Sequence, residues 1–224
     1  MGLSSGFLRK GSMSENTKDH NIQRESEFVT GLTPDKRWVR MLTGYFLEYD
    51  IRLPANPNVL NVGCGNNVKW NYLAVAFYLA DRGLGIPNYV AVDQKEEAFA
   101  DAKEILDGVI RFLGCDARNL TDFLTETFHL AVFEHPNLTT SPDGPRIWRN
   151  IFQETAKLMD EKGAAIVTSF WLNDHLPAQV ALERSHYDIV FSGRNRYPGK
   201  VFDTAANGES FQFDKYIIVA RRSV

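Results

Sequence analysis

The hydrophobic pattern between residues 33 and 170 switches repeatedly between two periodicities. Short, almost entirely apolar runs are typical of strands buried on both faces, and they cover 59–62, 89–93, 109–114, 128–133 and 164–170. Segments with the three- and four-residue spacing of helices lie between and ahead of them, at 33–49, 68–83, 96–106 and 146–159. Strands that alternate with helices predict a parallel sheet covered by helices on both faces.

The pattern changes after residue 171. Four strand-like segments follow one another with turn residues between them, at 187–191, 200–204, 210–213 and 215–220. This arrangement predicts an antiparallel finish to the sheet. The predicted fold is therefore a doubly wound α/β fold, a three-layer α/β/α sandwich whose mostly parallel sheet ends in an antiparallel C-terminal hairpin.

Residues 1–32 are polar and show neither periodicity, which predicts a flexible N-terminal tail. The tripeptide Gly11-Ser12-Met13 resembles a cloning scar followed by an initiator, so whether residues 1–12 are native stays open. Residues 33–224 are predicted to form a single domain, since 224 residues correspond to between one and two average domains.

Composition narrows the classes of function. The 25 basic and 28 acidic side chains leave a net charge of −3, which argues against a nucleic-acid-binding surface. Two cysteines exclude a disulfide scaffold, and the five histidines lack paired ligand spacing, so no metal site is predicted. The longest apolar run, Tyr72 to Ala80, is far shorter than the ~20 residues of a membrane span. We therefore expect a cytoplasmic protein that does not enter membranes.

The first apolar strand ends in Gly63-Cys64-Gly65, two glycines one residue apart, with a helix soon afterwards. Glycine allows a sharp turn and lets a ligand lie against bare backbone, where any Cβ would collide with it. The N–H groups at the helix start are expected to face that ligand. Taken alone, the pattern is equally typical of a tight strand-to-helix turn.

Two acids follow the next two strands. Asp93 closes the second strand and Asp116 follows the third. The carboxyl ends of neighbouring parallel strands line one crevice, so Asp93 is placed to accept the hydroxyls of a ribose and Asp116 an exocyclic amine. The alternative is that each acid caps the helix that follows it.

In this order on three successive strands, the glycine turn, Asp93 and Asp116-Ala117 resemble the class I S-adenosylmethionine-dependent methyltransferases, over about residues 34–221. The resemblance implies a Rossmann-like methyltransferase domain over 33–224 that binds S-adenosylmethionine and releases S-adenosylhomocysteine. It implies contacts of the glycine turn with the methionine portion, of Asp93 with the ribose and of Asp116 with adenine. The predicted cofactor-binding residues are Asn61, Gly63, Cys64, Gly65, Asp93, Gln94, Asp116, Ala117 and Phe133.

Three features depart from that family. Asn61 stands where the family usually has an acid, and so brings no charge to the cofactor. Asn67 replaces the usual third glycine, although asparagine tolerates a left-handed backbone better than most residues. The stretch from Gly65 to Asp93 is also longer than is usual. These departures bear on activity more than on the fold.

The fourth strand is followed by Glu134 and His135, at the place that lies beside the transferred methyl group in the family. The sequence Phe133-Glu134-His135-Pro136 does not match the (Asp/Asn/Ser)-Pro-Pro-(Tyr/Phe) motif of amide and DNA N-methyltransferases. Glu134 and His135 are the candidate catalytic residues, because either can accept a proton from an acceptor. Alternatively, His135 hydrogen-bonds the backbone of its own loop.

The sequence therefore predicts an S-adenosylmethionine-dependent methyltransferase. A small-molecule acceptor is expected because no appended recognition domain is evident, whereas the acceptor itself and the oligomeric state stay open. The alternative is a non-catalytic protein of the same fold that binds the cofactor or a partner. A nicotinamide-dependent oxidoreductase ranks last, because its fingerprint needs glycine where Val68 stands.

Overall fold

A computed structural model describes residues 36–204 and 210–223. The predicted tail, 1–32, and the start of the first predicted helix lie outside these residues. The helices are α1 (Lys36–Glu48), α2 (Val68–Asp81), α3 (Ala100–Leu106), α4 (Gly144–Leu158) and α5 (Leu172–Glu183), and 3-10 turns cover Gly65–Asn67, Glu96–Phe99 and Ala117–Asp122. In this part of the chain, no helix combines the length and the apolar character that a membrane crossing requires.

The strands form a seven-stranded sheet and a separate two-stranded ribbon. They are β1 (Asn58–Val62), β2 (Asn88–Asp93), β3 (Ile110–Gly114), β4 (Phe128–Glu134), β5 (Met159–Ser169), β6 (Tyr187–Arg194), β7 (Val201–Thr204), β8 (Ser210–Gln212) and β9 (Tyr216–Arg222). The order in the large sheet is β3-β2-β1-β4-β5-β9-β6. The strands β1 to β5 pair in parallel, while β9 lies antiparallel between β5 and β6. The predicted fold class is confirmed.

The register brings four strand ends to one edge of the sheet. Val62 at the end of β1 pairs with Val92 on β2 and with Phe133 on β4. Asp93 in turn pairs with Gly114, the last residue of β3. The loops that follow β1, β2, β3 and β4 therefore start side by side, as a crevice at the carboxyl edge requires.

Helices cover both faces of the sheet because its strands are apolar on both faces. On one face, Phe133 of β4 meets Phe152 of α4 edge to face, with ring centroids 4.9 Å apart. On the other, Tyr89 of β2 meets Tyr72 of α2 in the same way at 5.4 Å. The three-layer sandwich follows from these two apolar interfaces.

The structure differs from the sequence predictions in three local features. Residues 172–183 form α5, which the sequence did not indicate because Pro177 interrupts it and apolar residues occur on every side of it. The strands β7 and β8 pair with each other in a separate ribbon and not within the large sheet. The stretch predicted as one helix over 96–106 also starts as a 3-10 turn.

The contact between Phe133 and Phe152 predicts a large loss of stability on truncation. Phe152→Ala should lower the free energy of unfolding by about 3–5 kcal/mol, because a buried ring is lost and a cavity is left. Chemical denaturation measures this loss. The control is Phe77→Ala on α2, an exposed ring whose removal should cost less than about 1 kcal/mol. Equal losses in the two variants would contradict this account of the core.

Candidate functional site

The turn after β1 is held in a left-handed backbone. Gly63 has a φ of 64° and Gly65 a φ of 51°, a region that residues with a Cβ adopt at a cost. The N–H groups of Gly63 and Cys64 both donate to the carbonyl of Val92, at 2.8 and 3.3 Å. These two N–H groups are therefore used within the protein, while the expectation for the N–H groups at the helix start stays a prediction.

Asp93 fixes the turns after both β1 and β2. Its Oδ2 accepts a hydrogen bond from the N–H of Gly65 at 3.0 Å, and its Oδ1 accepts one from the N–H of Lys95 at 3.0 Å. A carboxylate has about four acceptor positions, so these two bonds leave capacity for hydroxyl groups. The side chain of Asp93 is half-buried, and Gln94 beside it is exposed.

The space above Gly65 is open, whereas the space above Gly63 is filled. A Cβ at Gly65 would have no atom within 4 Å, so the hollow there is open. A Cβ at Gly63 would lie 3.1 Å from Cη2 of Trp148, which reaches over from α4. Trp148 thus covers Gly63 and forms one wall of the hollow. Its ring also packs against Phe152, with centroids 5.8 Å apart. In the sequence, the four-residue spacing of Trp148 and Phe152 indicates that they share a helix face. The position of Trp148 above Gly63 was not predicted.

Asp116 lies at the end of β3, next to Asp93. The N–H of Cys115 donates to the carbonyl of Asp93 at 3.1 Å, which keeps the two strand ends together. The carboxylate of Asp116 caps the following 3-10 turn by accepting the N–H of Arg118 at 3.0 Å, and it also accepts the Arg118 guanidinium. These hydrogen bonds lower the pKa of Asp116. The capping role left open by the sequence is therefore the one observed, and the adenine contact of Asp116 and Ala117 stays a prediction.

Three other predicted cofactor residues are buried. Asn61 donates from Nδ2 to the hydroxyl of Tyr89 at 3.0 Å, while its Oδ1 accepts no hydrogen bond from the described residues. Phe133 belongs to the core beside α4. Burial, with Asp93 nearby, raises the pKa of the Cys64 thiol far above its usual range, so Cys64 stays protonated. Cys64 is a free thiol.

Glu134 connects the end of β4 to the start of α2. Its Oε2 accepts from Nδ2 of Asn71 at 2.6 Å and its Oε1 from Nδ2 of Asn67 at 3.3 Å. Its side chain is only 6% exposed. Burial and, to a smaller extent, Asp214 raise the pKa of Glu134 to about 7, against the opposing effects of His135 and Asn71. This candidate proton acceptor therefore changes charge near neutral pH.

His135 lies between two carboxylates. Its Nε2 is 2.9 Å from Oδ1 of Asp214, and its Nδ1 is 3.9 Å from Oε1 of Glu134. Its ring stacks on Phe170 with centroids 3.6 Å apart. Its backbone has a φ of 53° and its N–H donates to the carbonyl of Thr168. The structure thus bonds the backbone of His135 to β5 and its side chain to Asp214, and not to its own loop.

Asp214 and Arg37 complete this cluster, and neither was predicted. Asp214, just before β9, is fully buried and forms an ion pair with Arg37 of α1. Burial alone would raise the pKa of Asp214, but His135 and Arg37 outweigh it and hold the pKa at about 2. The sequence did not indicate these contacts because Asp214 is remote in sequence from both Arg37 and His135.

The carboxylates of this cluster are already engaged by protein donors. Glu134, His135 and Asp214 form the one group of potential metal ligands found in residues 36–204 and 210–223, with ligand atoms within 4.8 Å of one another. The Asp214 carboxylate forms an ion pair with Arg37, and the Glu134 carboxylate accepts hydrogen bonds from the amides of Asn67 and Asn71. The donor set is therefore that of a hydrogen-bonded ionic cluster, in which a cation would compete with Arg37.

Solved structures with a similar fold include S-adenosylmethionine-dependent methyltransferases. One from Clostridium acetobutylicum has a TM-score of 0.58 at 11% identity, covering 93% of this chain and 99% of its own. The N-methyltransferase NodS from Bradyrhizobium japonicum has a TM-score of 0.55 at 13% identity, covering 92% and 99%. A precorrin-6y C5,15-methyltransferase from Geobacter metallireducens has a TM-score of 0.54 at 10% identity, covering 97% and 93%.

No protein-family model matches this chain, and no curated protein matches it in sequence. At these low identities the structural likeness defines the fold. The resemblance to class I S-adenosylmethionine-dependent methyltransferases, carried by the glycine turn and the two acids, is therefore confirmed for the fold of this chain.

The raised pKa of Glu134 predicts a pH-dependent stability. The folded state binds this proton more tightly than the unfolded state, so the stabilisation is complete below about pH 4.5 and is lost as the pH rises through about 7. The substitution Glu134→Gln removes this pH-dependent stabilisation. The stability of this variant relative to the native chain should therefore rise between about pH 5 and pH 8, by up to about 3 kcal/mol.

Thermal unfolding of both proteins at several pH values measures this difference. Glu104→Gln, an exposed substitution on α3, is the matched control and should show no such change. A difference between Glu134→Gln and the native chain that stays constant over this range would contradict the assignment.

Proposed function

We propose that this protein is an S-adenosylmethionine-dependent methyltransferase. The observation that carries the proposal is the pairing of Asp93 with the N–H of Gly65 at 3.0 Å, beneath an open hollow. This pairing puts a carboxylate with spare acceptor capacity beside a backbone surface without side chains. The likeness of the fold to solved methyltransferases supports the same conclusion.

The residues around the hollow fit an adenosine-bearing sulfur compound. The open face of Gly65 admits an extended chain close to the backbone, and Asp93 can accept both hydroxyls of a ribose. Trp148 offers an apolar wall on the side of Gly63. The neighbouring strand ends are lined by Gln94, Asp116 and Ala117, which would hold the remaining part of this compound. When bound, S-adenosylmethionine supplies an electrophilic methyl group on a sulfonium sulfur.

The chain itself supplies orientation and a proton acceptor. Glu134 is the last residue of β4, the strand next to β1, so it lies on the side of the crevice where an acceptor would approach the glycine turn. Its pKa of about 7 suits it to take a proton from an acceptor hydroxyl or amine at neutral pH. The amides of Asn67 and Asn71 position the Glu134 carboxylate, and His135, held by Asp214, lies 3.9 Å from it. Holding two reactants in line supplies most of the acceleration for this type of reaction.

The acceptor we propose is a small molecule. Residues 36–204 and 210–223 contain one large sheet with its helices and one short ribbon, and thus no second recognition domain. The net charge of −3 also disfavours a nucleic-acid acceptor. A small molecule enters a crevice bounded by loops without a large binding surface.

Binding of S-adenosylmethionine and S-adenosylhomocysteine tests the proposal by isothermal titration calorimetry. Asp93→Asn should weaken both affinities by about tenfold to a hundredfold, because a charged acceptor is lost to both the ribose and Gly65. Asp101→Asn, an exposed acid on α3, is the matched control and should bind like the native chain. No heat from either compound with the folded protein, or equal affinities in the two variants, would overturn the proposal.

A protein of this fold that binds the cofactor without transferring its methyl group is the second candidate. It is favoured by Asn61, which brings no charge to the site, and by the engagement of Glu134 with two asparagine amides. Isotope-labelled S-adenosylmethionine distinguishes the two candidates. An enzyme should pass label to a small-molecule fraction of a cell extract, and Glu134→Gln should abolish transfer while the cofactor still binds. Binding with no transfer to any fraction would favour the second candidate.

A further inference from the structure

The outward face of α5 is apolar although it meets solvent. Leu172, Leu176 and Val180 are 45%, 52% and 44% exposed, and their four-residue spacing places them along one ridge. The inward face buries Asp174 and His175 together with the apolar residues Ala178, Ala181 and Leu182. A surface helix normally keeps its apolar residues on the inward face, whereas α5 has apolar residues on both faces.

The buried polar residues fix this orientation. Asp174 accepts hydrogen bonds from the N–H and hydroxyl of Thr139, at 2.9 and 2.7 Å. Nε2 of His175 lies 2.9 Å from the hydroxyl of Ser192 on β6. Rotation of α5 to bury its apolar ridge would break these bonds and leave buried polar groups unsatisfied. The ridge is therefore held outward.

The ridge borders an open groove between α4 and α5. The groove has a volume of about 430 Å³ and is lined by Pro145, Arg146, Arg149, Leu176, Pro177, Val180, Ala181 and Arg184. Its lining contains three arginines and no carboxylate. Arg146 pairs with Asp143 at 3.2 Å, whereas the guanidinium groups of Arg149 and Arg184 have no acidic partner within the described residues.

We propose that this groove binds an acidic, amphipathic helical segment of a partner protein. The apolar floor would receive large apolar side chains at helical spacing, and the arginines would bind carboxylates in the bidentate geometry that they favour. A concave groove between two helices fits a chain segment better than a flat lipid surface. This inference does not depend on the methyltransferase proposal.

The test selects peptides from a displayed random library of about 16 residues, which spans about four helical turns. The native chain is the target, and a Leu176→Gln/Val180→Gln variant is the counter-target. Selected sequences should combine apolar residues at helical spacing with an excess of Asp and Glu. A synthetic peptide of the selected sequence is then titrated by fluorescence polarisation.

Affinity for that peptide should fall at least about tenfold in Leu176→Gln/Val180→Gln and about fivefold in Arg149→Glu/Arg184→Glu. All the substituted side chains are at least partly exposed, and circular dichroism checks that the variants fold. The matched controls are Phe77→Gln and Arg40→Glu on α2 and α1, exposed positions away from the groove, which should change the affinity less than twofold.

Three results would overturn the proposal. The first is a selection that yields no peptide, or one without acidic residues. The second is self-association of the native chain in sedimentation that Leu176→Gln/Val180→Gln abolishes, which would assign the groove to a second copy. The third is flotation with phosphatidylserine vesicles that the same variant loses, which would assign the ridge to a lipid surface.

Discussion

The hydrogen bond from the Gly65 N–H to the Asp93 carboxylate is the contact on which the site depends. It joins the left-handed turn after β1 to the end of β2, and the register of the sheet brings β3 and β4 to the same edge. Glycine adopts the left-handed backbone of this turn without steric cost, and the bond to Asp93 fixes one of the many conformations open to it. The acid and the glycines are therefore one structural unit, although they are far apart in the sequence.

Local patterns predicted much of the fold, and contacts between distant segments account for what was missed. β1, α2 and β2 were predicted because their periodicity lies within a few residues of sequence. The helix α5 was missed because Pro177 and its all-round apolar residues conceal a helical period. The pair of Asp214 with Arg37 and the position of Trp148 above Gly63 exist only after the sheet and its helices have packed.

The buried cluster gives very different pKa values to two carboxyl groups, those of Asp214 and Glu134, that lie on either side of the His135 imidazole. Asp214 has Arg37 and His135 beside it, so its pKa stays low in spite of burial. Glu134 has mainly neutral amides, so burial dominates and raises its pKa to about 7. Pairs of acids that their surroundings drive apart in pKa are typical of sites that move protons. The left-handed backbone at both His135 and Asp214 adds strain at the same place, which also favours a functional role.

The first turns of α4 connect the crevice with the groove on the outer surface. Trp148 extends from this helix over Gly63, while Arg149 and Pro145, on neighbouring turns, line the groove beside α5. Successive residues of a helix point about 100° apart, so one short segment serves both surfaces. Asp174 holds α5 to Thr139 in the loop that leads into α4. The crevice and the groove therefore share one short segment of α4, so the packing of this segment shapes both surfaces.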